Sequence, residues 1–215
     1  MSDVITLDAG TESVKYLYQK DKRLAKVISM IGSITYKPHE DSYRFLVETI
    51  LGQMLSNKVA SIINRRLEEL CSGSITTIAI NSLTDNELKS IGTSNSKVAY
   101  IRNLTTAVKS GEIDFISFSN MSDAEVIIKL TSIRGIGNWT AKMYLIFVMN
   151  RQNVLPFEDV AFRQAFNWAY KTENYSSAVV TAKCKKWEPY SSIAARFLYR
   201  ALDSGLTKEP FHLYK

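Results

Sequence analysis

Apolar residues recur at intervals of three and four along most of the chain. In KDKRLAKVISMIG (20–32), Leu24, Val27, Ile28 and Ile31 share one helical face, and Gly32 supplies a stop. SYRFLVETILGQMLS (42–56) repeats the pattern with Phe45, Leu46, Ile50 and Leu51. Ser56 can then cap NKVASIINRRLEELC, whose stripe is Val59, Ile62, Ile63, Leu67 and Leu70. TDNELKSIG (84–92) carries Thr84 as cap, Glu87 as its box partner and Gly92 as stop. SNSKVAYIRNLTTAVKSG (94–111) also ends in glycine, and SDAEVIIKLTSI (122–133) opens on a Ser122–Glu125 capping box. Two-residue alternation is confined to a weak stretch near Asp114 to Ser119. The pattern predicts an all-α protein of roughly ten helices, with no low-complexity linker and no fixed-period repeat.

A chain of 215 residues suits one large domain or two small lobes. Apolar residues make up 46%, enough for a packed core and too many for a disordered chain. The net charge of +6 favours a polyanionic partner without identifying one. There are only two cysteines, Cys71 and Cys184, and two histidines, His39 and His212, none at metal-binding spacing. A disulfide framework and a four-cysteine iron–sulfur cluster are thereby excluded, a histidine zinc site is not expected, and two reduced thiols in an intracellular protein are expected. The start, MSDVITLDAG, lacks the basic-then-apolar order of a signal peptide, and the apolar run near Met143 to Met149 is too short to cross a bilayer. The expectation is a soluble protein with no membrane attachment.

The stretch LTSIRGIGNWTAKMYLIFVM (130–149) changes the picture. It reads as one helix from about 123 to 132, a glycine turn, and a second helix from about 138 to 149. The turn calls for positive φ, which Gly135 and Gly137 supply cheaply. It also presents backbone N–H groups and the positive end of a helix dipole, which is an anion site. Ile136 between the glycines can plug into the core. A dinucleotide fingerprint would need a preceding strand and a third glycine, and residue 140 is threonine. On spacing alone, an ordinary helical hairpin and a phosphate-binding hairpin both remain open.

LTSIRGIGNWTA closely resembles the helix-hairpin-helix motif of the HhH-GPD superfamily of DNA glycosylases. VLPFEDVAFRQAF supplies a proline and an aspartate, Pro156 and Asp159, at the superfamily's spacing. FLVETILGQMLSNKVASII, LKSIGTSNSKVAYIRNLTTAV and WEPYSSIAARFLYR resemble three further family segments, although Ser191 replaces a usual arginine in the last. The similarity spans roughly residues 20 to 200 and is greatest to the 3-methyladenine DNA glycosylase II branch.

The resemblance implies a two-lobed all-α fold. One lobe would span 42–150 and end in the hairpin; residues 1–41 and 151–215 would form the other, with the active-site cleft between them. The N-terminal β domain of larger bacterial members is not expected. The implied activity is base excision repair by a monofunctional glycosylase that flips an alkylated purine out of double-stranded DNA and hydrolyses its glycosidic bond. Asp159 takes the catalytic position, and its carboxylate would face an oxocarbenium-like transition state. From the residues alone, Asp159 reads equally as a helix cap. Trp139 stands where strand-cleaving members carry a Schiff-base lysine, so lyase chemistry is not expected.

An indole there can instead stack on a cationic base. Tyr190 resembles a second pocket aromatic, Met143 stands at a third pocket position, and Trp187 reads as core. Gln53 and Met54 match the loop that enters the gap left by the flipped base. Gly135, Gly137 and Thr140 are implied to bind the DNA backbone, with Lys97, Arg163, Lys183, Lys185 and Lys186 as further candidates. The family also implies a monovalent cation, Na+ or K+, on the carbonyls of Thr131, Ile133 and Ile136. No cofactor is expected for catalysis and a monomer is expected. The protein would work in the cytoplasm at the nucleoid of a prokaryote, or in the nucleus of a eukaryote. A bifunctional glycosylase/lyase acting on oxidised bases and a non-catalytic DNA-binding hairpin protein are the alternatives.

Overall fold

The computed structural model describes residues 3–172 and 176–214. It begins with β1 (Ile5–Leu7), α1 (Glu12–Lys20), α2 (Lys22–Ile31) and β2 (Ile34–Tyr36). Seven helices follow: α3 (Ser42–Gly52), α4 (Asn57–Leu70), α5 (Thr77–Ser82), α6 (Asp85–Ser90), α7 (Asn95–Lys109), α8 (Asp123–Thr131) and α9 (Asn138–Phe147). The chain ends with α10 (Val160–Tyr170), α11 (Ser177–Cys184) and α12 (Ser191–Asp203). No helix among the described residues is long and apolar enough to cross a membrane.

Two compact units result, one of residues 39–149 and one of residues 1–38 with 150–215. In the contiguous unit, α3 packs on α4, α7 and α9, while α8 pairs with α9. Its core includes Leu46, Val47, Ile50, Leu67, Ile101, Leu104, Val126, Leu130, Ala141 and Leu145. Tyr43 is buried there, its hydroxyl 2.7 Å from that of Thr105, and burial pushes the phenol up to about 12. In the other unit, α12 packs against both α2 and α10. Its core gathers Leu17, Leu24, Val27, Phe162, Phe166, Trp187, Phe197 and Leu198. Trp187 is fully buried, as its core reading requires.

Local sequence accounts for most helix starts. Ser56, Ser94 and Asp159 accept N–H bonds from the third helical residue, as N-caps do. The Thr84–Glu87 and Ser122–Glu125 boxes both close reciprocally. Gly32 ends α2 at φ +72°.

Three expectations need correction. The first residues and Ile34–Tyr36 pair as a short antiparallel sheet, Ile5 with Tyr36 and Leu7 with Ile34. The stretch 114–119 is not a strand: Asp114 accepts the Ile116 N–H, and Ser117–Asn120 winds into a 3-10 turn that buries Phe118. Val59, assigned to the buried stripe of α4, is 42% exposed.

Candidate active site and DNA-binding hairpin

The hairpin forms where expected, with α8 ending at Thr131 and α9 beginning at Asn138. Ile133 and Ile136 are buried, so the loop plugs its own underside. The two glycines differ. Gly135 has φ +111°, a region that side-chain-bearing residues rarely adopt, and a Cβ there would overlap the Tyr100 ring. Gly137 has φ −100° and ψ 177°, ordinary extended backbone, and a Cβ on it would meet nothing within 4 Å. The expectation that both glycines serve positive φ therefore holds for Gly135 alone. At Gly137, neither backbone nor packing demands glycine.

Gly137 is also the N-cap of α9 and offers no side chain to its first turn. The leading N–H groups of a helix have no intrahelical partners. Here they open beside a residue with no Cβ, which suits an approaching oxyanion.

Several side chains fix this turn. Gln53 donates through Nε2 to the Gly135 carbonyl at 3.0 Å and to Thr140 Oγ1 at 3.3 Å. Asn103 donates to the Arg134 carbonyl at 3.1 Å. Thr140 is fully buried and its hydroxyl accepts from Gln53, so its side chain serves the turn from within. Lys97 donates its ammonium to the Leu51 and Gln53 carbonyls at 2.7 and 2.8 Å, and burial lowers its proton affinity. The lysine thus closes the C-terminus of α3 with two of its three ammonium donors. Met54 follows, fully exposed and at φ +59°. Leu55 is exposed beside it. An apolar tip held in solvent on a strained backbone has the character of a wedge. Trp139 is half-buried on the first turn of α9, and Met143 one turn on is buried.

The carbonyls proposed to hold a cation lie on the same turn. That of Ile133 accepts the Ile136 N–H at 3.0 Å, which leaves its second lone pair. Among the described residues no group of three or more His, Cys, Asp or Glu side chains could hold a metal ion. A hairpin cation would therefore rest on backbone oxygens, the donor type that hard monovalent ions accept.

Asp159 lies in the other unit, half-buried at the start of α10. Its Oδ1 accepts the Phe162 N–H at 2.7 Å, and its own N–H donates to the Pro156 carbonyl at 3.0 Å. The proline thus shapes the turn that delivers the aspartate. The capping reading holds, with one carboxylate oxygen committed to the cap.

Burial, then the charge of Asp159, hold the phenol of Tyr199 on α12 well above its ordinary range. Tyr190 is half-buried and meets Tyr16 edge-on, with ring centres 5.4 Å apart. Lys186 pairs with Asp21 at 3.0 Å. Both cysteines are buried free thiols, and burial pushes Cys184 and Cys71 up. A groove of about 530 Å³, lined by Asp8, Val14, Lys15, Tyr18 and Ile28 among others, contains neither Asp159 nor Tyr190.

Sequence reasoning missed Tyr100, Asn103 and Tyr199. Each acts on a partner carried by a different element, and no local spacing signals such a pairing.

The model of the HhH-GPD superfamily of base excision DNA repair proteins matches residues 47–189, more than half of the chain. The crystal structure of a DNA-3-methyladenine glycosidase from Bacillus halodurans is 31% identical, with 97% of each chain covered and a TM-score of 0.84. DNA-3-methyladenine glycosylase 1 of Schizosaccharomyces pombe is 25% identical over 88% of this chain and 86% of its own. A structure of the 3-methyladenine DNA glycosylase of that yeast with abasic DNA shares the fold at TM-score 0.81 and 24% identity, covering 95% of this chain and all of that one.

Proposed function

The chain belongs to the HhH-GPD superfamily of base excision DNA repair proteins, and on that footing we propose that it is a monofunctional glycosylase that releases alkylated purines of the 3-methyladenine type from duplex DNA. The observation that carries this reading is the Asp159 carboxylate. It is half-buried, fixed by the Phe162 N–H, and set by Pro156 on a helix start. A carboxylate held this way cannot swing to follow solvent. Its charge is pre-oriented for the cationic sugar that forms as the base departs.

N-alkylation already weakens the glycosidic bond by placing positive charge on the base. The protein then has to flip the nucleotide, fill the gap, and stabilise charge on the sugar while water attacks. Met54 is the apolar filler. Trp139, half-buried, offers an indole face to a cationic base, worth about 0.5–2 kcal/mol. Because Trp139 occupies the lysine position, no Schiff base forms there and the strand remains intact. Gly137 and the open first turn of α9 hold the backbone phosphate. Tyr190 is a further candidate aromatic for the base. A monovalent cation, where bound, rests on the carbonyls of Thr131, Ile133 and Ile136 and adds positive charge beside a phosphate; base release does not pass through it. The protein works as a monomer, at the nucleoid of a prokaryote or in the nucleus of a eukaryote.

The test is release of methylated bases from duplex DNA by the wild type and by Asp159→Asn. Asparagine also caps helices, so the start of α10 survives. Expected are base release by the wild type, a fall of at least roughly 100-fold in the variant, and unchanged affinity for abasic DNA. Equal release by both proteins overturns the assignment of Asp159. A covalent adduct on borohydride treatment overturns the monofunctional reading.

A further inference from the structure

The gap-filling tip and the phosphate seat lie on different elements: Met54 on the loop that follows α3, and the first turn of α9 that opens at Gly137. The side chain of Gln53 runs between them. We propose that Gln53 is a positioning residue: it ties the Met54 loop to the glycine hairpin, so that the strand gripped at Gly137 fixes where Met54 enters the duplex.

Every part of this tie belongs to the contiguous unit of residues 39–149. Gln53 is half-buried, and its Nε2 donates to the Gly135 carbonyl at 3.0 Å and to Thr140 Oγ1 at 3.3 Å. A carbonyl only accepts, so the amide has to turn its NH2 toward the hairpin, and both donors of that group are spent there. The two acceptors stand on either side of Gly137 in the chain: Gly135 in the turn at φ +111°, and Thr140 buried in the first turn of α9. The main chain of the loop is held as well. Lys97 donates to the carbonyls of Leu51 and Gln53 at 2.7 and 2.8 Å. Three and six residues further along α7, on the same face, Tyr100 lies against Gly135 and Asn103 donates to the Arg134 carbonyl at 3.1 Å. One helix face thus supports both loops, and Gln53 crosses between them. Met54 itself is fully exposed at φ +59°, a conformation that persists only where the surroundings enforce it. Gln53, pinned at its carbonyl and at its amide, enforces it from the preceding residue. Flipping needs the filler and the grip at a fixed separation along the strand, and slack of about 1 Å between them is enough to slow the reaction strongly.

The proposal rests on the reading of Met54 as the filler. It is tested with Gln53→Met, which keeps the length of the side chain and removes both donors, and with Gln53→Asn, which keeps the amide and shortens its reach. Each is made alone and together with Met54→Ala. Single-turnover base release at saturating enzyme is measured on methylated duplex, and the fluorescence of 2-aminopurine beside an abasic site reports entry of the filler without any chemistry. Both Gln53 variants are expected to slow release roughly tenfold when Met54 is present and by less than about twofold when it is absent. The fluorescence response should follow the same pattern. A slowing by the same factor in both backgrounds overturns the proposal, since that marks an amide needed only by the fold. So does release at the wild-type rate by both variants, or failure of both to fold. If the wild type releases no base, the glycosylase reading fails, and the fluorescence cycle still decides the tie. If Met54→Ala alone changes neither readout, the filler reading fails and the proposal with it.

Discussion

At Gly135 the backbone sits at φ +111° and the space beside Cα is filled by Tyr100. At Gly137 the backbone is ordinary and the space is open. The same substitution at these two neighbouring glycines should therefore give opposite results. Gly135→Ala incurs both a backbone strain of about 1–3 kcal/mol and a clash with Tyr100, and should lower the thermal midpoint by several degrees. Gly137→Ala should stay within about 0.5 kcal/mol of the wild type in stability yet lose roughly tenfold in affinity for DNA, because its methyl enters the path of the phosphate. Thermal melts and a binding titration on the two variants separate the cases. A midpoint that drops equally in both would show that Gly137 is also held by the fold.

At the level of elements, the helix ends explain what is legible in the sequence and what is not. Ser56, Thr84, Ser122 and Asp159 each cap the third residue of the helix they open, so each start is written in a few consecutive letters. The hairpin is equally local: glycine, isoleucine, glycine and the helix that follows. The short sheet is not, because α1 and α2 intervene between Ile5–Leu7 and its partner Ile34–Tyr36, and neither strand is long enough to show alternation. Tyr199 feels the charge of Asp159 from another helix, with α11 in between, and is hidden for the same reason. Lys97 reads in the sequence only as a phosphate candidate on a basic protein, and the two bonds by which its ammonium closes the end of α3, far upstream in the chain, have no local signal. Lys97→Ala should then cost about 1 kcal/mol of stability and leave the salt dependence of DNA binding unchanged. A slope reduced by about one unit would restore the lysine to the DNA contacts.

Over the whole molecule, the unit made from both ends of the chain depends on Asp21. This carboxylate is 2% exposed and caps α2 through Oδ1. Tyr170, Trp187 and Lys186, all from the C-terminal part of the chain, converge on its Oδ2. Burial pushes the carboxyl up, but the hydrogen bonds from Tyr170, Trp187 and Lys186 outweigh it and leave the group below its ordinary value of 3.8. A carboxyl lowered on folding contributes stability above pH 3.8, and that contribution is lost as the pH falls through the folded-state value. Asp21→Asn keeps the cap and removes the charge. It should cost about 1–3 kcal/mol at pH 7, and the gap between variant and wild type should narrow progressively as the pH falls below about 4. Denaturant melts at the two pH values measure it; a gap that persists in acid would mean that shape, and not charge, is what the site supplies.

The division of the chain also sets an order in time. Residues 39–149 form one unit without interruption, whereas the other needs residues 1–38 and 150–215 together. As the polypeptide leaves the ribosome, the contiguous unit has all its parts once Met149 emerges. The N-terminal segment must wait, apolar face uncovered, until α10 and α12 arrive to bury Leu17, Leu24 and Val27. The nascent protein thus gains its glycine hairpin before its aspartate is framed, and a chain cut short near its C-terminus would retain the former without the latter.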